Sequence, residues 1–201
     1  MAQHAQEAFT SPKGQLHSAH IERPNKKGKL KLIVVVPKAQ AQETTDYIDK
    51  FWKENKPRQA KGLPKHKGYM LATDEETGKE TGDILFIFST NPVFPSGDSK
   101  VVKVFTAKKP IKEVKLHGKM IGKESTGRGI GKLAIYEYDG DYGVTLYLDA
   151  VSLSTFKEYV GGVDESSVTA DEDADDLDFG AKADVSTVAD EAQTTETPRY
   201  E

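Results

Sequence analysis

GKLAIYEYDGDYGVTLYLDAVSL, residues 131–153, holds the clearest strand pair in the chain. Gly131 to Tyr138 alternates aliphatic with polar or aromatic residues, and Val144 to Leu153 is a second β-rich run. Asp139-Gly140-Asp141-Tyr142-Gly143 between them reads as a hairpin connection, with glycine where a positive φ is needed. Side chains alternate across a strand, so Leu133 and Ile135 share one face and Lys132, Ala134, Tyr136 and Tyr138 the other. With the aliphatic pair turned inward, the second set faces outward, where a ligand can reach it.

Working outward from this pair, Lys29 to Val36 is a β-branched run stopped by Pro37. Asp83–Ser89 (DILFIFS) and Lys100–Thr106 (KVVKVFT) are further strands, joined by the turn-rich stretch Asn91 to Asp98. Lys112–Met120 is a weaker one. Thr44 to Asn55 changes period: Tyr47, Ile48, Phe51 and Trp52 fall on one face of a helix, with Thr44 or Thr45 as N-cap and Pro57 barring continuation. That stripe needs a partner, so Trp52 is expected in the core. One helix among at least five short strands predicts an all-β domain with a single helix, a small barrel rather than a parallel α/β sheet.

The flanks differ from this domain. Residues 1–28 are polar and read as a flexible arm, leaving 29–160 as the folded domain and 161–201 as an acidic tail. The net charge of −4 conceals a division. Residues 1–160 hold 26 Lys and Arg against 19 Asp and Glu, whereas residues 161–201 hold 2 against 13. A basic body with an acidic, small-residue tail suggests nucleic-acid contact and a segment too poor in apolar groups to fold alone.

Several classes of chemistry find no support. The longest apolar run, Leu32 to Val36, is far short of the ~20 residues of a membrane helix. The first residues lack the basic-then-apolar pattern of a secretory signal. The sequence has no cysteine, hence no disulfide or thiolate ligand, which suits a reducing compartment. His17 and His20 form an HxxH without further ligands and are read as a solvated pair in the arm. GKESTGRG, residues 122–129, has Arg128 and Gly129 where a phosphate loop needs Lys and Ser or Thr, and a strand follows instead of a helix. Its glycines are better suited to a bulge at the entry to a barrel strand. Asp139 and Asp141 are ordinary turn residues. With no catalytic constellation visible, the chain is expected not to be an enzyme and to need no metal or cofactor.

What remains is cations interleaved with aromatics. Lys132, Tyr136 and Tyr138 share a strand face, with Tyr147 nearby on the next strand. Lys103 and Phe105 share another face, followed by Lys108 and Lys109. Phe88 is a candidate on DILFIFS, with core filling as its other reading, and the basic loop 53–67 supplies Lys61 and Lys65. Aromatic rings stack on any base while cations track phosphates.

In order, KLKLIVVVPK, YIDKFWKEN, AKGLPKHKGY and DILFIFS resemble the single-stranded DNA-binding proteins of the T-odd short-tailed (podoviral) coliphages. The closing stretch does so more specifically: Leu133-Ala134-Ile135-Tyr136, the turn to Gly143-Val144, then TLYLDAVSLSTFKEYVGG running into acid. The resemblance covers about residues 28–165. It implies a five-stranded OB-fold barrel with a disordered acidic C-terminal tail, and non-catalytic binding of single-stranded DNA in replication, recombination and repair in the cytoplasm of a bacterial host. It places the family's tyrosine on Tyr136, basic residues on or near Arg128 and Lys132, and the basic loop on Lys61 and Lys65. It also implies a tail that shields the groove and contacts replisome partners, a phage DNA polymerase and helicase/primase; homodimerisation through tail exchange is a further expectation. Members end in acid capped by a terminal Phe. Here acid and aromatic meet at Asp171, Glu172, Asp173, Asp175, Asp176, Asp178 and Phe179, and the sequence ends Arg199-Tyr200-Glu201, so Phe179 or Tyr200 would serve. The alternatives are an RNA-binding OB module and a phage structural or scaffolding protein with an acidic assembly tail.

Overall fold

The computed structural model describes residues 5–74 and 76–159. The acidic segment and its candidate residues, Asp171 to Phe179, lie outside the described residues. In chain order the elements are β1 (Gln6–Thr10), β2 (Gly14–His20), β3 (Leu30–Pro37), α1 (Lys38–Asn55), β4 (Tyr69–Thr73), β5 (Glu80–Thr90), β6 (Lys103–Thr106), β7 (Thr126–Tyr138) and β8 (Asp141–Thr155). The expectation of a mostly β chain with one helix holds.

The pairings trace a circuit: β7 with β2, β2 with β3, β3 with β5, β5 with β8, and β8 with β7 again. All are antiparallel except β5 with β8, which meet in parallel at Phe88 and Leu146. β1 adds to β7, β6 runs parallel beside β8, and β4 adds to β5. Period-two burial fills the inside with Leu30, Leu32, Val34 and Val36 of β3, Ile84, Phe86 and Phe88 of β5, Leu133 and Ile135 of β7, and Leu146 and Leu148 of β8. Each such side chain contributes about 1.5–3 kcal/mol on burial.

Helix α1 touches β3, β5, β7 and β8, four strands of the circuit, and turns Ala41, Thr45, Ile48, Phe51 and Trp52 into the core. Trp52 is a core residue, as its period indicated. The helix starts earlier than Thr44: good helix formers run directly on from Pro37, and no side chain caps them. Thr45 is buried instead, its Oγ1 donating to the Gln42 carbonyl at 2.8 Å.

The flexible arm is a further correction. β1 and β2 occupy this segment, with Phe9 and Leu16 buried. Between them the buried Ser11 donates its N–H to the Gly129 carbonyl, and its Oγ accepts the Gly129 N–H, both at 3.0 Å. The basic loop ends in a strand, β4, that had not been anticipated. Lys112–Met120 is not a strand; Glu113 makes only an isolated bridge, to Phe105.

The β7–β8 pairing slips beside two β7 glycines, with register shifts between Thr126 and Gly127 and between Ile130 and Gly131, and the extra residues, Ser154 and Asp149, stand on β8 opposite them. A Cβ at Gly129 would stand 2.5 Å from the Phe88 ring, and one at Gly131 1.8 Å from the Tyr147 carbonyl oxygen. No side chain fits either place. The hairpin turns tightly on Asp139 and Gly140, both at positive φ (51° and 78°), the signature of a type I′ turn.

Candidate nucleic-acid interface

Residues opposite each other on paired strands project from the same face, so the registers lay out the outer surface of β6, β8 and β7. Lys132 stands opposite Tyr147, Arg128 opposite Ser152, and Tyr136 opposite Gly143. From the other side of β8, Lys103 stands beside Ala150 and Phe105 beside Ser152. The bulge that pairs Ile130 with Ala150 and Gly131 with Leu148 leaves Asp149 unpaired and reverses the alternation. Val151 and Leu153 are therefore buried, while Ala150 and Ser152 lie on the same face as Tyr147. Five expected residues, Lys103, Phe105, Arg128, Lys132 and Tyr136, thus share one three-stranded surface. It extends about 30 Å from Gly143 to Ser152, at ~3.3 Å per residue.

The hairpin tip continues this surface. Tyr138 is 76% exposed, opposite Asp141. The basic loop lies against the tip: Lys65 donates its N–H to the Tyr142 carbonyl at 3.0 Å, and the Val144 N–H donates to the His66 carbonyl at 2.8 Å. Lys61 and Lys65 line a shallow cleft with Gly140, Asp141 and Tyr142. The Lys65 Nζ donates to the Asp141 carboxylate, and this hydrogen bond, followed by the carboxylate's charge, raises the lysine above its usual range. Burial raises the Tyr136 phenol, opposed by the nearby Lys65 ammonium and reinforced by Asp141.

The remaining expected residues fall elsewhere. Lys108 and Lys109 are exposed in the turn after β6, at the end of the face remote from the hairpin tip. Arg128 also donates from Nη1 to the Ser11 carbonyl at 3.0 Å, so part of its role is to hold the β1–β2 junction. Phe88 must be corrected: it is fully buried, packed 5.9 Å from Phe9 and against Gly129, and presents no face to a base.

Two aromatics the sequence reading did not choose belong to the surface. Tyr147, noted only as a neighbour, is 39% exposed beside Lys132. Phe94 is exposed in the 91–102 loop, with the Lys100 ammonium 5.6 Å from its ring centroid and bonded at 2.6 Å to Asp149. The available signal for Phe94 was an aromatic between two prolines with no periodic partner.

The fold is that of a group of bacteriophage single-stranded DNA-binding proteins. The structure resembles gp2.5, a single-stranded DNA binding protein encoded by bacteriophage T7, with a TM-score of 0.57 and 21% identity over 85% of this chain and 98% of that one. It also resembles the single-stranded DNA-binding protein from bacteriophage Enc34 (TM-score 0.55, 13% identity, 80% and 88% covered). The same Enc34 protein in complex with ssDNA gives a TM-score of 0.58 at 14% identity, over 77% and 89%. No sequence-family model matches the chain, and no curated protein sequence does.

Proposed function

We propose that this chain binds single-stranded DNA without catalysis and with little sequence preference, using the outer face of β6, β8 and β7, the hairpin tip and the basic loop. The observation that carries this reading is the register that sets Tyr136, Tyr147 and Phe105 among Lys132, Arg128 and Lys103 on one surface. Rings accept bases of any sequence, and cations alone would hold duplex as well. In this reading the strand circuit, with its single parallel junction, is an OB-type barrel. Support comes from the shared fold, since phage proteins of this shape carry single-stranded DNA binding in their names and one is described in complex with it.

The test is titration of the full chain with labelled oligothymidylate and with a duplex of equal length at several salt concentrations. Preference for the single strand is expected, with log K falling linearly with log salt at a slope of about −0.7 per phosphate contact. Absence of binding, or a flat salt response, would overturn the reading. An RNA oligomer of matching sequence as competitor separates DNA from RNA binding, because a 2′-hydroxyl contact would favour RNA. The wider role proposed is phage DNA replication and recombination in the bacterial host. In it, the acidic segment around Asp171 to Phe179 recruits partners and competes with DNA by like charge. Replacing its aspartates with asparagine in the full chain should tighten DNA binding.

A further inference from the structure

The lysines of this surface are not equally available. Lys65 is ion-paired with Asp141 at the hairpin tip, and Lys103 has the Glu113 carboxylate 3.8 Å away, beside Phe105. Both pairs are open to water, the side chains being 57% and 47% exposed in the first and 59% and 52% in the second. Lys100 differs: its side chain is only 11% exposed, clamped between Asp149 and the Phe94 ring. Among the described residues no carboxylate is paired with Lys132, Lys108 or Lys109.

Exposed ion pairs add little to stability, so holding the fold does not account for Asp141 and Glu113. Asp141 takes from Lys65 the hydrogen bond that a phosphate oxygen would take, and Glu113 sets its charge 3.8 Å from the Lys103 ammonium, where a phosphate would come. We propose that Asp141 and Glu113 are resident counter-ions of the DNA-binding face, exchanged for backbone phosphates when a strand binds, and that they thereby set its affinity and salt dependence. This rests on the interface reading above and adds two specificity-setting residues to it.

The exchange has a definite thermodynamic signature. A lysine that meets a phosphate releases condensed cations from DNA. A carboxylate set free in the same step remains close to that phosphate, repels it and draws cations back. Net release is then smaller than the number of contacts, and affinity is held down. Asp141→Asn and Glu113→Gln keep the shape and the acceptor oxygen but remove the charge. Each should raise affinity for oligothymidylate several-fold at low salt and steepen the slope by up to about 0.7. The two sites lie at opposite ends of the face, so their effects should add. Asp149→Asn is the internal contrast: its carboxylate is 42% exposed but its lysine only 11%, so the change frees no accessible ammonium, lowers the melting temperature and leaves the slope no steeper.

The experiment is fluorescence anisotropy of labelled oligothymidylate with the full chain and these variants across a sodium chloride series, with a melting temperature for each. Tighter binding and a steeper slope in Asp141→Asn and Glu113→Gln are expected. Unchanged or weaker binding in both, with the wild-type chain still binding in a salt-dependent way, overturns this inference alone; the carboxylates would then only anchor the loops. A wild-type chain that does not bind oligothymidylate overturns the interface reading and this inference with it.

Discussion

The ring of Tyr136 lies across Gly143, its cross-strand partner, so closely that a Cβ at position 143 would stand 2.6 Å from Cε1 and 2.7 Å from Oη. Gly143 is therefore present for room. The turn itself is made by Asp139 and Gly140, whose φ values are positive. The empty place at Gly143 gives the ring room beside Lys65, combining an aromatic surface with a cation.

Gly143→Ala tests this relationship with one methyl group. The atoms it would meet belong to the far end of the Tyr136 side chain, so the ring moves and the strands stay paired. A cost of about 1 kcal/mol is expected. Affinity for oligothymidylate should fall while the salt slope stays constant, because no phosphate contact has been touched. Equal affinity in the two proteins would mean that the ring's position does not matter.

Rings and cations on the face should fail in different ways. Tyr136→Ala and Tyr147→Ala each remove a stacking surface worth about 1–3 kcal/mol per base, so affinity should drop about 5- to 150-fold with the slope unaltered. Lys132→Ala, between them in register with Tyr147, should lower the slope by about 0.7. Measuring log K against log salt for all three separates the roles, and a slope change in a tyrosine variant would refute the division.

The β7–β8 hairpin was legible because its aliphatic residues sit on one parity of the strand and its tyrosines and lysine on the other. That contrast is missing from DILFIFS, where Leu85 and Ile87 are as apolar as Phe86 and Phe88, so parity alone could not show which set is inside. β1 and β2 were illegible for a different reason. Their large buried groups are few, chiefly Phe9 and Leu16, and their order comes from pairing with β7 and β3, more than a hundred residues away in the case of β7. The loop bearing Phe94 has no period to read, since its place on the surface depends on Lys100 reaching Asp149 across 49 residues.

Phe88→Ala should behave as a core truncation. Its ring is fully buried against Phe9 and over Gly129, and such truncations cost about 3–5 kcal/mol. The midpoint of urea unfolding should move accordingly, while the folded fraction keeps the wild-type affinity and salt slope. Loss of affinity without loss of stability would return Phe88 to the binding surface.

His17 gives the domain a sensitivity to mild acid. It lies on β2 opposite Ile33, and burial, followed by the charge of Lys123, lowers its pKa from the ordinary 6.5. The folded state therefore binds the imidazole proton less tightly than the unfolded state does. As pH falls below about 6.5 the unfolded chain takes up the proton first, so stability declines from there through the lower folded-state value; above that range this group adds no pH dependence. Urea midpoints at pH 7, 6 and 5 should fall less steeply for His17→Gln than for the wild type, with Lys123→Gln in between. Parallel curves for all three would show that acid acts on other groups. The effect bears on the interface because β2 pairs with β7 at Gly14 and Gln15, next to the Ser11 carbonyl that receives Arg128. Loosening β2 should weaken DNA binding at pH 5 in the wild type more than in His17→Gln.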